Sequence, residues 1–287
     1  MILIGSAGLQ PAWCVDRRLP AGLCGWWEEA GCKPALRFRV LNNKNDAMST
    51  FELLTFNSPE ELARAAADAW LDEIDSANRA GLSHKVALSG GRIAQEFFAA
   101  TVARAGARST AFDRVHFFWA DERCVPPTDP ESNFKIAHEI LLAPLGIAAG
   151  HIHRLRGEEA PETAVKRAET EIFSVAPKNA DGLPVLDLIL LGMGEDGHVA
   201  SLFPGISNGT LDSSAPFLVV TGSPKPPPAR ISLSYRAILA ATKAWVLVSG
   251  DGKTAALRES LSPTGTTPMS KVVQGRPTTV FSCLKKI

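Results

Sequence analysis

Apolar and polar residues alternate in two kinds of block along most of this chain, and the blocks predict strands separated by helices. Short runs rich in apolar, aromatic and β-branched residues predict strands over residues 48–56, 85–88, 114–119 and 186–191, and near 217–221 and 245–249. Apolar positions three or four residues apart predict helices after Ser58, over 92–105, 133–142 and 161–175, and from Asp251 through Leu261. This order predicts an α/β fold, a three-layer Rossmann-like domain whose mainly parallel sheet is covered by helices on both faces.

The first 47 residues do not share this pattern. They hold three of the six tryptophans and three of the five cysteines, with no sustained hydrophobic period. We expect a disordered or misassigned extension over residues 1–47, with translation starting at Met48 and a single α/β domain over 48–287. A genuine small cysteine-rich appendage is the alternative, although three cysteines cannot pair completely. At the other end, residues 278–287 predict a final strand with a basic, exposed end.

The glycine-rich turn after the 186–191 strand is the most informative segment. A strand buried on both faces places this turn at the carboxyl edge of a parallel sheet, where open α/β proteins bind ligands. Gly192, Gly194 and Gly197 let backbone amides approach a ligand closely. Asp196 and His198 supply a carboxylate and an imidazole that titrates near neutrality. We therefore predict an active site here.

Two other interpretations of this turn stay open. Glycines at 192, 194 and 197 also fit the dinucleotide-binding fingerprint, but Asp196 would repel a pyrophosphate and the motif lies past mid-chain. A purely structural turn with an incidental His198 is the other alternative.

Two further strand ends carry candidate chemistry. Asp121 and Arg123 follow the 114–119 strand, and charged groups there are costly to bury unless they are paired or bind a ligand. A solvated charged loop is the alternative. After the 85–88 strand, Ser89, Gly90 and Gly91 precede a helix, and its first amides with the serine hydroxyl predict an anion site.

Composition and charge narrow the partners. Thirty basic and thirty acidic residues give zero formal net charge, so no overall field favours nucleic acid or an anionic membrane. No apolar stretch approaches the roughly 20 residues of a membrane helix. Five scattered cysteines without metal-ligand spacing favour a reducing compartment, the cytoplasm. His151 and His153 alone do not predict a metal site, so we expect neither a metal nor a cofactor.

In order and spacing, these motifs resemble the signature blocks of the 6-phosphogluconolactonases, within the glucosamine/galactosamine-6-phosphate isomerase superfamily. Three blocks look like the family's, namely residues 89–91, residues 121–126 with 132–133, and residues 192–205. The segment from Lys225 to Ser234 is similar to a fourth block, the basic segment associated with the substrate phosphate. The resemblance runs from about residue 50 to about residue 275.

The resemblance implies a carboxylic ester hydrolase, a monomer or weak homodimer, that converts 6-phosphoglucono-1,5-lactone to 6-phosphogluconate in the oxidative pentose phosphate pathway. His198 would be the general base that activates water, and Asp196 would either orient its ring or face the substrate. The turns at 89–91 and 192–197 would supply oxyanion donors. Lys225 and Arg230 would hold the phosphate, and Asp121 and Arg123 would position hydroxyls or close the pocket.

One departure and two alternatives accompany the resemblance. The family usually continues Ser-Thr-Pro after residue 91, whereas this chain has Arg92, Ile93 and Ala94, and Arg92 either takes over anion binding or points to solvent. A glucosamine-6-phosphate deaminase-like activity is one alternative, but those enzymes need an acid close to the histidine that this chain lacks. A non-catalytic sugar-phosphate sensor is the other, although a sensor has no use for the base His198.

Overall fold

The computed structural model describes residues 36–41, 50–205 and 213–284. The strands there are β1 (Leu36–Leu41), β2 (Thr50–Thr55), β3 (His84–Leu88), β4 (Val115–Trp119), β5 (Asp121–Arg123), β6 (Leu188–Gly192), β7 (Phe217–Val220), β8 (Arg230–Leu233), β9 (Lys243–Val248) and β10 (Thr278–Ser282). The α-helices there are α1 (Pro59–Arg79), α2 (Arg92–Arg108), α3 (Asn133–Ala137), α4 (Pro161–Val175), α5 (Tyr235–Ala240), α6 (Thr254–Ser260) and α7 (Pro268–Gly275).

The main sheet has seven strands in the order β1-β2-β10-β9-β6-β3-β4. Each neighbouring pair from β2 to β4 is parallel, and β1 lies antiparallel to β2. All five residues of β3 are buried, as expected for a strand with helices on both faces. The α/β fold with a mainly parallel sheet is confirmed, and the carboxyl ends of β3, β4 and β6 meet at one edge.

Local signals in the sequence explain most of these elements. Ser58 Oγ accepts a hydrogen bond from the Glu61 amide at 3.2 Å, and Pro59 occupies the first turn of α1. The strand predicted over 186–191 begins at Leu188, and directly before it the Asp187 carboxylate accepts from the amide and the ammonium of Lys85. The helix predicted over 133–142 is α3 continued by a π-helical turn over 138–142.

Three elements differ from the expectations. Strand β1 lies inside the segment expected to be a disordered or misassigned extension, and its residues 36–41 pair with β2. The rest of that extension, 1–35 and 42–47, lies outside the described residues, and the domain division stays a prediction. Helix α7 and a small antiparallel sheet in the order β5-β8-β7 were not expected.

The chain end forms a strand as predicted, but an internal one. Strand β10 lies between β2 and β9 in the main sheet, and its expected basic end falls on residues 285–287, outside the described residues. No helix within the described ranges is long and apolar enough to cross a membrane.

Candidate active site

Asp196 and His198 form a hydrogen-bonded pair directly after β6. Asp196 Oδ1 lies 2.5 Å from His198 Nδ1 and accepts from the His198 amide at 3.3 Å. A carboxylate accepts, so it selects the tautomer in which Nδ1 carries the proton and Nε2 has a free lone pair. The sequence left open whether Asp196 orients the His198 ring or faces the substrate, and in the structure Asp196 Oδ1 faces the imidazole ring.

Gly194 makes room for this pair. A Cβ at residue 194 would lie 2.0 Å from His198 Nδ1 and 2.6 Å from Asp196 Oδ1, closer than atoms can approach. The Gly194 amide donates to the His198 carbonyl at 2.9 Å, and the Gly197 amide donates to the Gly194 carbonyl at 3.1 Å. These two amides are used in closing the turn and are not free to be the oxyanion donors that the sequence suggested. Gly192 is the last residue of β6 and starts the turn.

Burial and nearby charges set the protonation of the pair. Burial lowers the pKa of His198 below its usual value, despite the opposing charges of Asp196 and Asp121, and Lys225 lowers it further. Burial alone would raise the pKa of Asp196, but the hydrogen bond and charge of His198 outweigh it and lower that pKa. A neutral imidazole beside an ionised carboxylate is therefore favoured at neutral pH, as a general base requires.

Aromatic and polar contacts hold the same turn from its other end. The Phe203 ring lies 4.6 Å from the His198 ring, centroid to centroid. Ser201 Oγ donates to Asp121 Oδ2 at 2.6 Å, and the Ser201 amide donates to Ser232 Oγ on β8 at 3.2 Å. Asp121 is buried, and its bond to Ser201 joins the turn after β6 to the segment after β4.

Glu122 organises the segment that follows β4. Its carboxylate accepts from the amides of Arg123, Asn133 and Phe134 and from the Ser132 hydroxyl, at 2.7 to 3.1 Å. Burial raises the pKa of Glu122 to about 7, although the three amides oppose the rise. Sequence reasoning assigned no role to Glu122, and its position beside Asp121 in the motif was the available signal.

Arg123 and Arg230 both bind backbone carbonyls. Arg123 Nη1 donates to the Glu131 carbonyl at 2.5 Å, which ties the loop after β5 to the start of α3. Arg230 is buried, and its Nε and Nη2 donate to the carbonyls of Lys225, Pro226 and Pro227 at 3.1 to 3.2 Å. Arg230 Nη1 lies 4.0 Å from Asp121 Oδ2. The Arg230 side chain thus braces the proline-rich loop that carries the exposed Lys225.

Three cations, Arg92, Lys225 and Lys253, lie close enough for their charges to interact. The first amides of the 17-residue helix α2 have no intrahelical partner, as in any helix. Gly91, with a φ of 99°, provides no side-chain cap for them. Arg92 at the start of α2 is exposed. Burial lowers the pKa of Lys253, and the charges of Arg92 and Lys225 lower it further, whereas Glu195 opposes them. Lys253, in the short 3₁₀ turn over Asp251–Lys253 that follows β9, was not singled out as a site residue in the sequence.

The described structure brings together most of the residues that the sequence singled out. The turns at 89–91 and 192–198 lie at one sheet edge, where a Cβ at Gly192 would be 3.7 Å from the Gly90 carbonyl. Ser89 Oγ is buried and has no hydrogen-bond partner among the described residues. No group of three or more potential metal ligands occurs in the described part of the chain. The fold and the site together define an α/β protein with an Asp–His pair set for proton transfer beside a cluster of cations.

Comparison with known proteins identifies the family. Residues 57–281 match the family described as glucosamine-6-phosphate isomerases/6-phosphogluconolactonase, and the chain belongs to it. A 6-phosphogluconolactonase of Treponema pallidum is 40% identical over 193 residues, which cover 67% of this chain and 78% of that protein. One of Streptomyces coelicolor is 34% identical over 222 residues, covering 75% and 85%. The solved 6-phosphogluconolactonase of Trypanosoma brucei, 25% identical, superposes with a TM-score of 0.72 and covers 80% of this chain and 94% of its own.

Proposed function

We propose that this protein hydrolyses 6-phosphoglucono-1,5-lactone to 6-phosphogluconate, as the carboxylic ester hydrolase of the oxidative pentose phosphate pathway. The observation that carries the proposal is the Asp196–His198 pair, in which Oδ1 lies 2.5 Å from Nδ1, while Nε2 of the imidazole has no hydrogen bond to the residues that the structure describes. Relatives that carry the name 6-phosphogluconolactonase support the choice of substrate.

The proposed reaction uses one base and no covalent intermediate. His198 Nε2 accepts a proton from water as the water oxygen bonds to the lactone carbonyl carbon, and the carbonyl becomes a tetrahedral oxyanion. Asp196 stabilises the imidazolium that forms, through the bond to Nδ1. The ring carbon–oxygen bond then breaks, and the proton on His198 passes to the departing ring oxygen. The product is an open-chain acid with a free hydroxyl, and the base is regenerated.

The substrate phosphate is assigned to the cation cluster beside α2. Arg92 is the first residue of α2, and its charge and that of Lys225 both act on Lys253. Anions bind well where helix amides and cations converge. Arg230 supports this site indirectly, because its donors hold the carbonyls of the loop that carries Lys225. The turn at 89–91 belongs to the phosphate end and His198 to the lactone end. Asp121 and Arg123 shape the wall between them.

The test is turnover by His198→Ala in a pH-stat, with the spontaneous hydrolysis of the lactone subtracted. Loss of a general base costs on the order of 10²–10⁴ in rate. His138→Ala is the matched control, because His138 is exposed on the π-helical turn and outside the site. Unchanged turnover in folded His198→Ala would contradict the mechanism. Release of ammonia from glucosamine-6-phosphate would instead support a deaminase, and substrate binding without turnover by the native protein would support a sensor.

The remaining parts of the proposal concern the setting of the enzyme. We place it in the cytoplasm, on the scattered cysteines, and expect a monomer or weak homodimer. Size-exclusion chromatography with light scattering over a range of protein concentrations measures the oligomeric state.

A further inference from the structure

Asn133, the first residue of α3, touches two parts of the site at once. It is 2% exposed, and its backbone amide donates to Glu122 Oε1 at 2.8 Å. Its side-chain Nδ2 lies 3.0 Å from the carbonyl oxygen of Asp121 and 3.4 Å from Asp121 Oδ1. Both of these partners are acceptors, so the orientation of the amide is fixed. A reversed amide would set Oδ1 against two acceptors.

The other end of the same amide lies against the 89–91 turn. A Cβ at Gly90 would lie 1.9 Å from Asn133 Oδ1 and 2.7 Å from Asn133 Cγ. Asn133 Oδ1 is buried and accepts no hydrogen bond from the described residues. A buried acceptor without a donor lowers the stability of the fold. We therefore expect the placement of this oxygen beside Gly90 to serve the function of the site.

We propose that Asn133 is a positioning residue that fixes the distance between the phosphate end and the lactone end of the site. This inference rests on the proposed lactonase function. The Asn133 amide is wedged between Gly90, in the turn assigned to the phosphate, and Asp121. Asp121 in turn holds Ser201, which follows the His198 turn, at 2.6 Å. The side-chain amide of Asn133 therefore sets the distance between the bound phosphate and the lactone carbonyl, which is attacked by the water that His198 activates.

The experiment is a double-mutant cycle on Gly90 and Asn133. Asn133→Ala should lower kcat by ~10–100-fold, since a misplacement of about 1 Å costs that much. KM for the phosphorylated lactone and the inhibition constant for inorganic phosphate should change less than about threefold. Gly90→Ala should also lower kcat, because the new methyl displaces the amide. In the Asn133→Ala background, Gly90→Ala should cost less than about twofold, since the obstructing atoms are gone.

Two controls separate positioning from folding. Ser58→Ala removes the cap of α1 at a residue that is hydrogen-bonded to Glu61 and Leu62, so it should lower the thermal midpoint and leave kcat unchanged. Gly106→Ala adds a methyl to α2 with no atom within 4 Å, and it should leave kcat unchanged. Should Asn133→Ala fail to fold, Gly90→Ala measured against Gly106→Ala carries the test.

Three results would overturn the inference. They are a kcat of Asn133→Ala within twofold of the native enzyme, a phosphate inhibition constant that rises in step with the loss, and an equal cost of Gly90→Ala in both backgrounds. Native protein without lactonase activity would refute the proposed function. Active native protein with an unaffected Asn133→Ala refutes the positioning role alone.

Discussion

Replacing Asp196 with Asn tests the central pair, because it removes the charge while preserving the size of the side chain. Asp196 Oδ1 lies 2.5 Å from His198 Nδ1, the separation of a charge-assisted hydrogen bond. Hydrogen bonds to charged groups contribute about 1.5–3 kcal/mol, which corresponds to roughly 10- to 150-fold in rate. That loss is expected if the amide oxygen keeps facing Nδ1. If the amide nitrogen faces Nδ1 instead, the ring takes the wrong tautomer and the loss approaches ~10⁴.

The pH profile of kcat/KM gives the second measurement. The neutral imidazole is the active form, so activity falls as pH drops through the pKa of His198. The Asp196 charge raises that pKa against the effect of burial. Without the charge the pKa falls further, and the acidic limb of the profile should move to lower pH.

The control is a neighbouring carboxylate in the same turn. Glu195→Gln removes one exposed negative charge that is not among the charges named as acting on the pKa of His198, so its acidic limb should stay in place. An unshifted acidic limb with native kcat in Asp196→Asn would refute the view that Asp196 acts through His198. It would leave Asp196 as a structural residue of the turn.

Two further predictions concern the phosphate and the core. Lys253→Ala should raise KM for the phosphorylated lactone ~10–100-fold at an unchanged thermal midpoint, whereas Arg230→Ala should also lower the midpoint because its buried bonds brace a loop. Equal effects of Lys253→Ala on a non-phosphorylated lactone would exclude a phosphate contact. Burial, with the charges of nearby lysines, lowers the pKa of His84 to about 4, while Nε2 accepts from Trp70 at 3.1 Å. The folded state disfavours the protonated form of His84. The free energy of unfolding is therefore highest above pH ~6.5 and falls by about 3 kcal/mol as the pH drops to about 4. In urea titrations, the free energy of unfolding of His84→Gln should depend less on pH than that of the native protein. An unchanged pH dependence would contradict this account.

The main sheet and its helices could be predicted because each depends on a local pattern. Helix α4 has the predicted bounds 161–175, since Pro161 at its start and a regular apolar period lie within one window of sequence. The Asp196–His198 pair was predictable for the same reason, because two residues in one turn need no long-range pairing to meet.

Elements that depend on distant partners could not be predicted. Strand β5 has three charged residues and pairs with β8, more than 100 positions away in the chain. Helix α7 is only eight residues long, although Thr267 as its cap and Pro268 in its first turn were local signals. The basic segment around Arg230 indicated a positive charge, but not that the side chain turns inward to bind carbonyls, because burial is decided by the tertiary contacts.

The proposed separation of a phosphate end from a lactone end would let one pocket bind a phosphate and yet keep a neutral base. Burial is the main cause of the lowered pKa of His198, and the charge of Lys225 lowers it further; Lys225 also lowers the pKa of Lys253. A phosphate bound among Arg92, Lys225 and Lys253 would offset that positive charge. The imidazole would then become more basic as the lactone carbonyl arrives, while Asp196 stabilises the imidazolium on its far side. On this proposal, substrate binding and proton transfer would be coupled through charge, and the spacing proposed to be set by Asn133 would keep the phosphate and the lactone carbonyl at the distance that the reaction needs.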